Sequence, residues 1–383
     1  MQATPGAWIG APSPGGLALP DAHPSASRLY APRGVWLDGR RLIVVDSGNH
    51  RVLIWFDRPS MDHAPADVVL GQASFDREGP RAAGRGPENG LHLPTGVAVI
   101  DGRLFVADAW HHRVVVWNGI PQASDTPPDM VLGQPDAASV EPNAGGAISA
   151  STFYWPYGLG FVAGRFIVTD TGNRRVLVWD GVPEPGRPAD VILGQDAAHL
   201  GFENRGGAPS ARSFRWPHAV AGDARTLFVA DAGNHRILSW SPVPAVDRDA
   251  DAVIGQPDVT SNAEFPYRPQ NARTLRFPYA SASDERSLLV ADTANNRVLV
   301  FPRDASGHAA AEAVLAIGQP DLSANGENRW TRVTHETLCW PYGVALSGDT
   351  LAVADSGNNR VMLWRLEHAA ATAEAERSIP SCV

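Results

Sequence analysis

The chain has 383 residues, with 32 Lys+Arg against 41 Asp+Glu, and so a formal charge of −9 at neutral pH. Such an acidic balance does not suit a protein that coats nucleic acid or an anionic membrane surface. Every basic residue is an arginine, which excludes a P-loop, Schiff-base or kinase-type lysine, and two cysteines, Cys339 and Cys382, are too few for a Cys-rich zinc site or an iron–sulfur cluster.

The N-terminal residues lack the basic and long apolar regions of an export signal, and no apolar run reaches the roughly 18 residues that span a bilayer. A soluble, cytoplasmic protein without a membrane span is therefore expected. The first element along the chain is a lone apolar stretch, Trp8–Ala11. Six copies of one unit follow it. Each joins two apolar runs through Asp, four variable positions and Arg, as in VVDSGNHRVLIW, VADAWHHRVVVW and VADSGNNRVMLW. The aspartates are Asp46, Asp108, Asp170, Asp231, Asp292 and Asp355, spaced 61–63 residues apart. The arginines are Arg51, Arg113, Arg175, Arg236, Arg297 and Arg360. A proline opens each unit (Pro32, Pro94, Pro156, Pro217, Pro278, Pro341), and a glycine within LGQ or IGQ closes five of them (Gly71, Gly133, Gly194, Gly255, Gly318).

Each unit reads as four short strands. The first follows the proline. A tight turn such as Asp101-Gly102 leads to the second, the Asp-to-Arg turn to the third, and a Pro-rich connection to the fourth. Branched and aromatic residues fill the runs while Gly, Pro, Asn and Asp punctuate them. Six four-stranded sheets in series predict an all-β fold, a six-bladed β-propeller that closes radially. The sixth unit lacks its LGQ strand, and Gly10 of the N-terminal stretch keeps step with Gly71. An N-terminal strand at about 5–12 is thus expected to complete blade six. One domain then covers 5–367, followed by an Ala-rich tail at 368–383.

The sequence resembles the NHL-repeat family of six-bladed propellers, whose signature turn is matched in full by Asn49-His50-Arg51 and Asn234-His235-Arg236. The resemblance implies the fold across nearly the whole chain. It is less specific for function, because one fold hosts unrelated activities. One enzyme of this type, a peptide-amidating lyase, holds zinc with several histidines; that set is not visible here, and its activity is not carried over.

Residues present in every blade are read as scaffold, so the turn aspartates are expected to cap their own turns and the arginines to pair with carboxylates. Trp55, Trp117, Trp179, Trp240 and Trp364, with Phe301, are expected between blades. Residues that break the pattern are site candidates. Just after the opening prolines stand Arg33, Thr95, Tyr157, His218, Tyr279 and Tyr342, expected to ring the channel mouth. Arg33 suits a carboxylate or phosphate, and His218 suits a general base or a metal ligand, with a tyrosine as proton donor. At its turn blade two carries Trp110 and His111, expected as surface candidates on the same face. The long loops from LGQ to the next proline cross this face, while the tight turns and Pro-rich connections are expected on the other.

The loop arginines (Arg77, Arg81, Arg85, Arg205, Arg212, Arg215, Arg268, Arg273, Arg276, Arg329, Arg332) are nearly matched by loop acids. Mutual salt bridges are therefore expected there, and not a phosphate track. No GxSxG, HExxH or EF-hand motif is present. The leading reading is a scaffold that binds another protein or a small polar ligand through its long-loop face and channel mouth. The alternative is a lyase or hydrolase, metal-dependent or not, working at that mouth. No cofactor is named by the sequence, and nucleic acid is the least favoured partner.

Overall fold

The computed structural model describes residues 1–264 and 270–367; Arg268 and the 368–383 tail lie outside them. Six four-stranded antiparallel sheets follow in order. Blade one is Gly34–Leu37, Leu42–Asp46, Arg51–Trp55 and Val68–Leu70. Blade two is Val97–Ile100, Arg103–Asp108, Arg113–Trp117 and Met130–Leu132. Blade six combines Pro341–Ser347, Thr350–Asp355 and Arg360–Glu367 with the N-terminal strand Gln2–Gly10. The chain is thus a six-bladed β-propeller closed by its own N-terminal strand.

That closing strand starts earlier than expected. Arg360–Glu367 is longer than the matching strand of blade one, and its extra residues Arg365, Leu366 and Glu367 pair with Thr4, Ala3 and Gln2. A register shift between Pro5 and Trp8 then returns Trp8, Ile9 and Gly10 to the regular ladder.

The apolar core is divided among the blade junctions. Phe105 of blade two packs 5.3 Å from Phe166 of blade three, and Phe166 in turn lies 5.9 Å from Trp179. All three are buried, as are the other third-strand aromatics. Each blade therefore buries both faces against neighbours, which a single four-stranded sheet cannot do alone.

Every Asp-to-Arg turn is one short 3-10 turn, and its last residue (His50, His112, Arg174, His235, Asn296 or Asn359) takes φ of 54–56°. The aspartates do not cap these turns as expected. One carboxylate oxygen accepts the Arg Nε–H at 2.6–3.0 Å. The other accepts a backbone N–H sixteen residues upstream (Tyr30, His92, Tyr154, Arg215, Arg276, Cys339) at 2.6–2.9 Å. With one oxygen taken by the buried guanidinium, the aspartate aims the other at the incoming loop and not at its own turn. The guanidinium also donates to loop carbonyls on both sides, so that Arg236 reaches Val259, Ser210 and Ser213. Arginine satisfies this because its planar fork offers five donors.

The Pro-rich connections differ from expectation as well. They do not stay on the far face but fold up along the rim. In blade two the Asp125 N–H donates to Val69 O on the outer strand of blade one, and the Asp125 carboxylate meets Arg85 of the long loop at 2.9 Å. The outer strand edge of blade one is thereby paired by the connection of blade two, as that of blade six is by the connection of blade one, where the His63 N–H donates to Trp8 O. Other loop arginines also pair with carboxylates: Arg212 with Asp247, Arg215 with Glu203, Arg273 with Glu312, Arg276 with Glu264 and Arg329 with Glu336.

Candidate functional site at the channel mouth

The first strand of each blade lines the central channel and begins at the face that carries the Asp-to-Arg turns. The register of the ladder therefore sets the six residues after the prolines at one level. Arg33, Thr95, Tyr157, His218, Tyr279 and Tyr342 do line one cavity of about 80 Å³, enough for several waters or one small ionic group. Glycines follow at Gly34, Gly96, Gly158 and Gly343. A Cβ at Gly158 would sit 2.4 Å from His218 O and one at Gly96 2.4 Å from Tyr157 O. Backbones this close keep the channel narrow.

The ring is a continuous arc. Tyr157 and His218 lie 4.3 Å apart by ring centroids, His218 and Tyr279 4.5 Å, and Tyr279 and Tyr342 4.7 Å. Arg33 completes it, its guanidinium 5.1 Å from the Tyr342 ring centre. Thr95 is a wall residue: its hydroxyl donates to Tyr157 O at 2.9 Å. Arg33 has no carboxylate partner among the described residues, and no acid lines the cavity. A half-buried cation without a counter-ion in a low-dielectric pocket attracts an anion.

His218 is buried and its Nδ1 lies 2.9 Å from Trp216 O. A carbonyl only accepts, so Nδ1 carries the proton and Nε2 keeps its lone pair. Burial, with Arg33 nearby, lowers its pKa to about 3, so the ring is neutral at physiological pH. Burial raises the phenols too, Tyr279 to about 12 and Tyr157 further. Arg33 opposes the rise at Tyr157 by its charge and by a loose contact of its guanidinium with the phenol oxygen, which has no other polar partner among the described residues. The mouth thus holds one cation, three neutral phenols and a neutral imidazole.

Blade two corrects one expectation. Trp110 is exposed and packs 5.7 Å from His92, but His111 is buried and not at the surface. It stands where the other blades have Asn49, Asn173, Asn234, Asn295 and Asn358, each donating to its turn aspartate. His111 Nδ1 reaches Asp108 at 2.7 Å in the same way. Burial pushes the Asp108 carboxyl up, but Arg113 and His111 together hold it below its ordinary value. Among the described residues no three His, Cys, Asp or Glu side chains converge to hold a metal. None of the described helices is long and apolar enough to cross a membrane.

Four aromatics escaped the sequence reading. Trp155, Trp216, Phe277 and Trp340 stand directly before the opening prolines of blades three to six, where blades one and two have Ala31 and Leu93. Aromatic-Pro dipeptides were the signal. Five of these six positions have φ of 44–55°, uncommon for bulky side chains. Each of those five N–H groups is captured by the turn residue of the preceding blade: Ala31 by Asn359, Leu93 by His50, Trp155 by His112, Phe277 by His235 and Trp340 by Asn296. Trp216 is the exception in both respects. The residue due to capture it is Arg174, which has no acceptor, and its N–H goes to Asp231 instead.

The family model for the NHL repeat matches residues 91–117, the first three strands of blade two with the loop before them. No curated protein matches the chain. Among solved structures, the virginiamycin B lyase of Staphylococcus aureus is similar at 11% identity, over 90% of this chain and 98% of that one, with a TM-score of 0.46. Hydrazine synthase of Kuenenia stuttgartiensis is similar at 13%, over 88% and 96%, with a TM-score of 0.48. The WD40 propeller domain of Doa1 is similar at 11%, over 96% and 98%, with a TM-score of 0.46.

Proposed function

Since the chain is an NHL-repeat six-bladed β-propeller, a scaffold that sets unlike side chains around one axis, we propose that it is a binding protein whose channel mouth captures a small anion. One observation carries the reading: Arg33 faces the cavity with no carboxylate partner among the described residues, beside a buried Tyr157 hydroxyl that also lacks one. An anionic oxygen satisfies both. The guanidinium suits a carboxylate or phosphate, and the phenol adds a neutral donor. His218 Nε2 offers an acceptor to a ligand hydroxyl or N–H.

An enzyme at the same mouth is less favoured. A histidine whose pKa is about 3 is a weak base near neutral pH, far from the match that general-base catalysis needs.

The test is calorimetric titration of the purified protein with acetate and with inorganic phosphate. At least one is expected to bind, and Arg33→Ala is expected to abolish that binding while leaving the melting temperature unchanged. Equal binding by wild type and Arg33→Ala would remove Arg33 from the site.

A further inference from the structure

We infer that the ligand of the channel mouth is an aryl carboxylate, a flat aromatic ring bearing one carboxylate. This deepens the anion-binding reading and rests on it.

The mouth is lopsided. On one side, the positions before the prolines hold Ala31 and Leu93, and the cation Arg33 follows in blade one. At the same positions blades three to six hold Trp155, Trp216, Phe277 and Trp340; Trp340, in the blade beside Arg33, is tied to Glu327 at 2.9 Å, and the first three are set above the inner arc. Trp155 lies 6.2 Å from the His218 ring, Phe277 lies 6.3 Å from the Tyr279 ring, and Trp216 stacks on Phe277 at 6.4 Å and 21°. All three are only partly buried; Trp216 lies between Phe277 and the Arg215 guanidinium, which is 5.1 Å from its ring centre, so the part-exposed apolar surface is that of Trp155 and Phe277. A bare anion uses Arg33 and leaves this wall wet. A flat ring with its carboxylate on Arg33 uses both sides, because aromatic faces prefer offset or edge-to-face contact with another ring. The wall is also fixed in place: the N–H groups of Trp155 and Phe277 are held by His112 and His235. Such preorganisation lowers the cost of binding a rigid ligand.

The experiment is calorimetry on the full chain with four probes: benzoate, acetate, cyclohexanecarboxylate and benzyl alcohol. Benzoate is expected to bind about tenfold tighter than acetate and about threefold tighter than cyclohexanecarboxylate, with no measurable benzyl alcohol binding. Phe277→Leu is expected to weaken benzoate about fivefold and bring it towards acetate. Leucine suits that position, since Leu93 occupies its equivalent at φ 44° against 50° for Phe277. Benzoate no tighter than acetate or cyclohexanecarboxylate, or unaffected by Phe277→Leu, overturns the aryl assignment and leaves anion capture standing. Benzyl alcohol binding as tightly as benzoate overturns anion capture itself. No binding by any of these probes overturns the aryl assignment, and overturns anion capture as well when inorganic phosphate also fails to bind.

Discussion

The six Asp-to-Arg turns and the channel mouth lie on the same face and are built on the same repeated backbone, yet they differ in how their polar groups are satisfied. At the turns, charge is buried completely and nearly every donor has a partner. Asp231 and Arg236 are both fully buried, and the guanidinium binds one carboxylate and three loop carbonyls. At the mouth, Arg33 and the Tyr157 hydroxyl are left without such partners. The Asp-to-Arg pair, present in all six blades, marks what holds the ring together. At the mouth the unpaired groups are instead a cation and a phenol that face one cavity, and that is where something from outside fits.

Breaking the turn side of this contrast has the largest expected effect. Arg236→Ala strands a buried aspartate and three loop carbonyls, and is expected to cost about 3–5 kcal/mol in urea denaturation. A cost near zero would show that the turns are not the staples. The equivalent loss at the mouth is expected to be far smaller in stability, which is why Arg33→Ala reads out in binding.

Acid sharpens the contrast next. His50, His112 and His235 have pKa values lowered to about 4, in each case chiefly by burial, and their Nδ1 atoms accept backbone N–H groups as neutral imidazoles. The unfolded chain takes up these protons near pH 6.5 while the folded chain does not, so the unfolded state binds more protons between about 6.5 and 4. Stability is therefore expected to fall as pH drops through that window. His235→Asn, which installs the acceptor that blades five and six use as Asn296 and Asn359, is expected to make this fall shallower in urea titrations run from pH 7 to 4. An unchanged acid slope would mean that His235 is not the neutral acceptor. The smallest effect is expected from His111→Asn. It restores the ordinary donor to Asp108 and is expected to shift stability by less than about 1 kcal/mol. A larger loss would show that His111 does more than stand in for asparagine.

The repeat made most of the fold readable. Three markers in step fixed blade number, strand order and the partner of the N-terminal strand, and the position after each proline located the channel ring because strand register is shared. Polar geometry was harder to read. Which way the Asp46 carboxylate turns depends on a loop sixteen residues upstream, and nothing local encodes that direction. His111 looked like a surface departure because the burial of its Asn counterparts is a tertiary fact. The rim path of the Pro-rich connections depends on a strand edge in the neighbouring blade. Trp155, Trp216 and Phe277 were legible as aromatic-Pro pairs, but their grouping on one side of the mouth emerges only once the ring is closed.

The closing strand has a consequence for how the molecule is made. Trp8 pairs with Met362, so the ladder that seals the ring joins residues some 350 apart, whereas the outer strand of blade one closes over 18, from Val52 to Leu70. Loop entropy grows only logarithmically, and that difference costs roughly 2.5 kcal/mol more than an ordinary outer strand. Burying Trp8 beneath the Arg360 guanidinium, 4.1 Å away, is enough to offset it. Time is the larger obstacle. At about 5–20 residues per second, the ribosome releases the partner strand roughly 20–70 seconds after Trp8 and Ile9 have emerged. During that interval an apolar strand has no sheet to join, and Pro5, Gly6 and Gly10 within or beside it make it a poor template for pairing with other chains.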